Sequence, residues 1–426
     1  MDAKYQDLPH VVIVGSGFGG LNAARSLAKA PVRVTLVDRH NYHLFVPLLY
    51  QVATAGVSPD EIAYPLHAIF RGQKNLEIRL ADVGSIDYAG KKLVTSAGDI
   101  PYDALILSAG SATNLFGMEA ALDHALQLKD LEDAERVRNH ILQQVELASQ
   151  ESDAEARCAR LTFVIVGGGP TGVEISGALS ELVRLVLDRD YHLDPADFKI
   201  LLVEATGRLL EQFSPFLAGK TESALHKKGV EIRLNAHVTG FDGYNVTLKD
   251  GESIPARTLI WAAGVKANPL AGAAGSPTAR QGRVKVLPTL QTPEHPEIFA
   301  IGDAAYIEQR GQMLPMLAQV AIQGGRHAAR NVVRFLAGQP LQPFVYHDPG
   351  TLATIGRNQA VAHIAGLDLW GFPAWFVWVV VHIYQLIGHR NRILVMIEWI
   401  RDYLFYNSAV LIISKWEDRL DDAQTK

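Results

Sequence analysis

A single cysteine, Cys158, stands among 426 residues. A disulfide framework, a CxxC redox centre and a cysteine-rich metal site each need at least two thiols, so all three are excluded, and no metal site is expected. Charge is sparse and nearly balanced, with 40 Lys and Arg against 45 Asp and Glu, a net charge of −5 and a pI of about 6.3. That balance lacks the basic excess of a nucleic-acid binder. The several long apolar spans of a polytopic membrane protein are also missing, while 48% hydrophobic residues and a mean hydropathy of +0.07 exclude a disordered chain. The opening MDAKYQDLPH is short and polar and runs directly into VVIVG. It is not expected to be a secretory signal, which places the expected start near Met1 in the cytoplasm. At roughly 100–200 residues per domain, the chain has room for two to four domains.

An internal repeat organises what is present. VVIVGSGFGG at Val11–Gly20 returns as FVIVGGGPTG at Phe163–Gly172, and LILSAG at Leu105–Gly110 returns as LIWAAG at Leu259–Gly264. Each copy opens as an apolar run, a glycine turn, a helical stretch and a second β-rich run, the βαβ pattern of a parallel sheet covered by helices. The first copy predicts strands at Val11–Val14 and Val32–Val37 around a helix over roughly Gly19–Lys29. The second predicts strands at Phe163–Val166 and Phe198–Val203 around a helix over roughly Gly172–Leu187. A charged, helix-prone connector joins the copies. Beyond Gly264, the strand Ile298–Ile301 has no counterpart in a tandem array and is expected to return to the first domain.

The turn GSGFGG supplies Gly15, Gly17 and Gly20 at G-x-G-x-x-G spacing. Its glycines permit the tight turn, the approach of backbone to a pyrophosphate and the close packing of helix on strand. Asp38, ending the next strand, suits a ribose hydroxyl. GGGPTG repeats the pattern with Gly167, Gly169 and Gly172, and Glu204 closes the following strand. Glu204 lies beyond the usual interval of about 20 residues but keeps the same place at the strand end. A carboxylate there accepts from a 2′-OH and repels a 2′-phosphate, favouring NAD over NADP, with Arg208 nearby as the dissenting residue. Two nucleotide sites without partner cysteines suggest electrons passing between two dinucleotides.

The combination GSGFGG with Asp38, GGGPTGVE with Glu204 and IFAIGDAA resembles the two-dinucleotide-binding-domain flavoproteins, in which the first site holds FAD and the second NAD(P)H. Within that superfamily, DRHNYHLFVPLLYQVA, MLAQVAIQGG and an aromatic tail resemble the type II NADH dehydrogenases, the single-subunit NADH:quinone oxidoreductases. The resemblance implies that Gly302 and Asp303 contact the flavin. Gly110 and Gly264 mark small-residue crossings between domains, and Pro47, Leu48 and Gln51 line the isoalloxazine. It places Glu174 close to the nicotinamide and the flavin, with a first-turn acid meeting the helix dipole as the alternative role. Gln319 and Gln323, four apart on one helix face, are implied at the quinone head-group pocket. His43, among aromatic and apolar neighbours, reads as a packing residue rather than a proton donor.

Five of the six tryptophans, Trp370, Trp375, Trp378, Trp399 and Trp416, fall in the last part of the chain. Leu369 to Gly388 contains no Asp, Glu, Lys or Arg and is long enough to span a ~30 Å hydrocarbon layer. Pro373 interrupts its start, and His382, Gln385 and His389 recur as a polar stripe on one face. Ile393–Tyr406 then interleaves Glu398, Arg401 and Asp402. Two amphipathic helices lying in the interface are therefore expected, with Trp and Tyr at the headgroup level.

The expected architecture is α/β, with two Rossmann-like dinucleotide-binding domains, the second inserted in the first, plus a C-terminal amphipathic membrane-associating segment. Residues 1–115 and 276–343 form the FAD-binding domain, 116–275 the NADH-binding domain, and 344–426 the C-terminal segment. The expected activity is non-pumping transfer of a hydride from NADH to tightly, non-covalently held FAD, and of two electrons onward to a membrane quinone. The expected partners are that quinone, a bilayer surface and a second copy in a homodimer, with no nucleic acid. The expected location is peripheral, on the cytoplasmic face of a bacterial inner membrane. A soluble NAD(P)H-dependent ferredoxin-type reductase and a nucleotide-sensing flavoprotein with little turnover are the alternatives. Disulfide reductases and sulfide:quinone reductases are disfavoured because they need cysteine pairs.

Overall fold

The computed structural model describes residues 5–184, 191, 193–388, 392–397, 399 and 411–415. The chain forms two compact units, Met1–Leu44 with Ala63–Thr113 and Val265–Pro349, and Phe45–Ile62 with Asn114–Gly264 and Gly350–Lys426.

The first unit is built on a five-stranded parallel sheet in the order Ile298–Ala300, Ala104–Leu107, His10–Val14, Arg33–Asp38, Leu76–Leu80. His10–Val14 is buried along its whole length, which is why it reads as a continuous apolar run rather than an alternating one. Ile298–Ala300 does return, pairing with Ala104–Leu107 in register Ile298 to Leu105. The helix Phe18–Ser26 lies against the helix Ala318–Leu336, and the contact is close enough that a Cβ on Gly325 would stand 2.2 Å from the Gly19 carbonyl oxygen.

The second unit repeats the design. Its parallel sheet runs Leu126–Gln127, Thr258–Trp261, Thr162–Val166, Lys199–Val203, Val230–Arg233, so Leu126–Gln127 takes the outer place that Ile298–Ala300 holds in the first. The charged connector forms the helices Leu131–Gln150 and Ala154–Arg160. Asp130 and Asp133 cap the first of these reciprocally, each side chain accepting from the other's backbone N–H.

Beyond Phe344 a small sheet precedes the first of the two expected helices. Three antiparallel strands come first, Thr351–Gly356, Gln359–Ile364 and Leu367–Gly371. The first presses on the helix Pro170–Leu182, where a Cβ on Gly177 would stand 2.1 Å from the Ile355 carbonyl oxygen. The uncharged run therefore begins as a strand, and its helix is Phe372–Gln385 with Pro373 in the first turn, a position proline favours. The polar stripe turns toward the protein at His382. His382 faces inward, stacked on the buried Trp378 and donating from Nδ1 to its carbonyl at 2.7 Å, while burial pushes the imidazole down to about 4. The outer face carries Phe372, Phe376, Val380 and Tyr384, exposed by 53, 55, 50 and 75%. Trp378 is thus core rather than headgroup anchor, and Trp399 stacks on it at 5.4 Å between ring centroids. Residues 392–397 are helical, whereas His389, Glu398, Arg401, Asp402 and Trp416 lie outside the described residues. Among the described residues no helix is long and apolar enough to cross a membrane.

Candidate dinucleotide-binding sites

In the first unit the strand His10–Val14 delivers the chain to Gly15, whose φ of +91° and clearance allow no side chain: a Cβ would lie 2.3 Å from the Ser108 carbonyl oxygen. Gly20 seats the helix on the strand end, where a Cβ would come within 1.8 Å of the Gly15 carbonyl oxygen. Gly17 is different. It is the N-cap, no side chain caps the helix start, and nothing lies within 4 Å of where its Cβ would point. That open helix N-terminus is the geometry that receives a phosphate. Asp38 closes the turn, one oxygen accepting from Ser16 N (2.6 Å) and Ser16 Oγ (2.7 Å), the other from His40 N (2.9 Å).

The second unit reproduces the two backbone bonds, without the serine hydroxyl. Glu204 accepts from Gly168 N with one oxygen and from Thr206 N (2.7 Å) with the other. Gly167 and Gly172 pack as Gly15 and Gly20 do, Gly172 with 1.8 Å of clearance to the Gly167 carbonyl oxygen, and Gly169 is again the open N-cap. Arg208 points its guanidinium at the Glu211 carbonyl (2.7 Å).

Around the first turn, Asp303 sits in the short 3₁₀ turn Gly302–Ala304 and accepts from Ser111 Oγ at 2.6 Å. Gly110, at φ +70°, borders open space. His43 is buried, donates from Nδ1 to the Ser16 carbonyl (2.8 Å) and is pushed down to about 4 by burial, so it is neutral at physiological pH. Gln319 and Gln323 share the helix Ala318–Leu336. Gln323 exchanges two hydrogen bonds with the backbone of His347, at 2.8 and 3.1 Å, leaving one N–H and one lone pair for a ligand. Gln319, one turn nearer the helix start, is part-buried.

In the second unit Glu174 stands in the second turn of its helix, not the first, so neutralising the dipole does not explain it. Among the described residues it accepts one bond, a long one from Thr354 N (3.4 Å), and burial pushes its carboxyl up to about 8. Gly264, at φ +134°, faces Phe116. Pro47 is the central residue of the 3₁₀ turn Val46–Leu48. Gln51 donates to the Tyr50 hydroxyl (2.8 Å) and accepts from Trp399 Nε1 (3.0 Å). Tyr50 itself is a group that sequence reasoning missed: burial, then the Glu174 charge, holds its hydroxyl well above the ordinary tyrosine range. Ser16 and Thr354 were missed as well. Ser16 had a signal in its place between Gly15 and Gly17, whereas Thr354 had none, being 180 residues from the acid it serves.

Comparison with known proteins follows the same outline. Residues 9–325 match the family described as pyridine nucleotide-disulphide oxidoreductase, and residues 349–406 match the NDH2 C-terminal domain. The chain is 39% identical to the type II NADH:quinone oxidoreductase Ndh of Mycobacterium tuberculosis, over 95% of this chain and 90% of that protein. A solved structure of NDH2 from Plasmodium falciparum in complex with NADH superposes with a TM-score of 0.85 at 20% identity, covering 95% of this chain and 99% of that one. The sulfide:quinone oxidoreductase of Aquifex aeolicus has the same fold, with a TM-score of 0.71 at 17% identity over 93% of this chain and 95% of that one.

The Glu174 environment sets a pH dependence. Below about pH 4.5 the carboxyl is protonated in both folded and unfolded chains. Between about 4.5 and 8 the unfolded chain releases the proton while the folded chain keeps it, so stability falls as pH rises through that window. Glu174→Gln is expected to melt close to the wild type below pH 4.5 and to exceed it by on the order of 5 kcal/mol above pH 8. A difference independent of pH in thermal melts would contradict this.

Proposed function

The chain belongs to the type II NADH:quinone oxidoreductases, and from that premise we propose a division of labour in which the first unit holds FAD, non-covalently, and the second binds NADH. The observation that carries it is the duplicated carboxylate-braced glycine turn, each copy opening on an uncapped helix start. The first turn fits FAD on its own chemistry. Gly17 and Gly110 border space that a Cβ would enter, and Asp38 and Asp303 keep acceptor capacity for hydroxyl groups beyond the bonds they make. FAD, when bound, supplies a two-electron acceptor for the NADH hydride and a donor to quinone.

The residues of the chain bind and orient. Gly167–Gly172 present the second helix start to the NADH pyrophosphate, and Glu204 accepts from its ribose. With Arg208 drawn to the Glu211 carbonyl, that carboxylate sets the preference for NADH over NADPH. Glu174, protonated near neutral pH, holds a proton at its carboxyl for donation within the second unit. Gln319 supports a quinone carbonyl with an uncharged amide, and Gln323 with the N–H it retains. In this assignment quinone takes its two protons from solvent or through such a relay, and no proton is pumped.

Quinone is apolar, and the outer face of Phe372–Gln385 matches the phase that dissolves it. Phe372, Phe376, Val380 and Tyr384 are exposed along one side. Lys220 lies over Phe216 and Trp370 at 5.2 and 5.3 Å, and Arg392 over Tyr384 at 5.7 Å, the pairing of cation and aromatic ring that suits a headgroup layer. We assign this face to peripheral attachment on the cytoplasmic side of a bacterial inner membrane. A second copy of the chain is the other occupant it suits, as a homodimer.

The test of the redox assignment is the absorbance of the purified protein. A flavin band should bleach on NADH addition and recover on quinone addition; a protein without the band, or one that bleaches and never recovers with any quinone, contradicts it. For the membrane assignment, the double variant Phe372→Ser with Phe376→Ser should lose about 3 kcal/mol of partitioning, roughly a hundredfold, in vesicle flotation. Unchanged flotation would remove the face from that role.

A further inference from the structure

Arg283 is fully buried, at 0% exposure, and is the largest side chain so enclosed among the described residues. It precedes the short strand Val284–Lys285, which pairs in parallel with Ala305–Tyr306. Its Nε donates to the Ala305 carbonyl at 2.7 Å and its Nη1 to the Leu314 carbonyl at 2.8 Å. Nη2 is buried without a hydrogen-bond partner among the described residues. No salt bridge to Arg283 forms among those residues; burial weakens its hold on the proton, and the acid that opposes this most is Asp303. A buried guanidinium without a paired carboxylate is costly, and chains of this size have apolar alternatives for packing.

The two carbonyls it grips identify its role. Ala305 lies two residues beyond Asp303, and Leu314 leads into the helix that carries Gln319. Resting on the assignment of FAD to the first unit, we infer that Arg283 is a positioning residue for the flavin. Its fork ties the Asp303 turn to the approach of the Gln319 helix, and its buried positive charge favours the reduced cofactor over the oxidised one. The charge argument follows from electron balance. A hydride carries two electrons and one proton from NADH, NAD⁺ is formed, and the flavin gains one negative charge. A fixed buried cation in the same unit stabilises that product more than the neutral reactant.

The experiment uses the holoenzyme as wild type, Arg283→Gln and Arg283→Lys. Gln keeps donors for the carbonyls and removes the charge; Lys keeps the charge and removes the fork. Flavin midpoint potential is read spectroscopically against a reference dye, alongside melting temperature and KM for NADH. Arg283→Gln should shift the equilibrium about tenfold against reduced flavin, about 30 mV for a two-electron couple, with KM for NADH unchanged. Arg283→Lys should hold the wild-type potential while melting lower. An unmoved potential in a flavin-loaded Arg283→Gln, or equal shifts in both variants, overturns the inference while leaving the FAD assignment intact. A wild type that carries no flavin overturns the assignment and the inference with it.

Discussion

The bond from a backbone N–H just past the first glycine to the carboxylate ending the neighbouring strand sets the geometry of both glycine turns, and with it the proposed nucleotide sites. In one unit it joins Ser16 to Asp38, in the other Gly168 to Glu204. It holds the turn closed while the glycine takes a positive φ, and it aims the helix start at the space beyond the N-cap. Because the second carboxylate oxygen is fixed too, by His40 N–H and Thr206 N–H, each acid is oriented before a ligand arrives. That pre-orientation reduces what nucleotide binding must itself order.

Much of this was legible in the residues. A buried parallel strand has no exposed face, so VVIVG and FVIVG show as unbroken apolar runs, and glycine is compulsory where Gly15 and Gly20 have no clearance for a Cβ. The return of Ile298–Ala300 was legible because an apolar strand outside the repeat needed a sheet to join. What was hidden depends on long-range contact. Nothing near Glu174 announces Thr354 as its partner, nothing near Gln323 announces the His347 backbone, and Arg283 reads as one more surface arginine until the fold encloses it.

The C-terminal region shows the same limit in another form. Helical periodicity identifies two faces but not which one turns inward. His382 and Trp378 form the inner side of Phe372–Gln385 because the imidazole satisfies the Trp378 carbonyl and the indole gains Trp399 as a stacking partner. The aromatic residues left outside then make a contiguous apolar stripe, an arrangement that favours an interface over water. Gln51, hydrogen-bonded to both Tyr50 and Trp399, links this segment to the loop Phe45–Ile62 within the same unit.

Two braced turns acting as separate sites is the central claim, and nucleotide retention in Asp38→Ala and Glu204→Ala tests it most directly. Asp38→Ala should be purified with most of its FAD lost and its NADH affinity kept. Glu204→Ala should keep its FAD and bind NADH about tenfold more weakly, the effect of removing a hydrogen bond to a charged acceptor. If both substitutions released the same nucleotide, or neither changed either one, the account would be wrong.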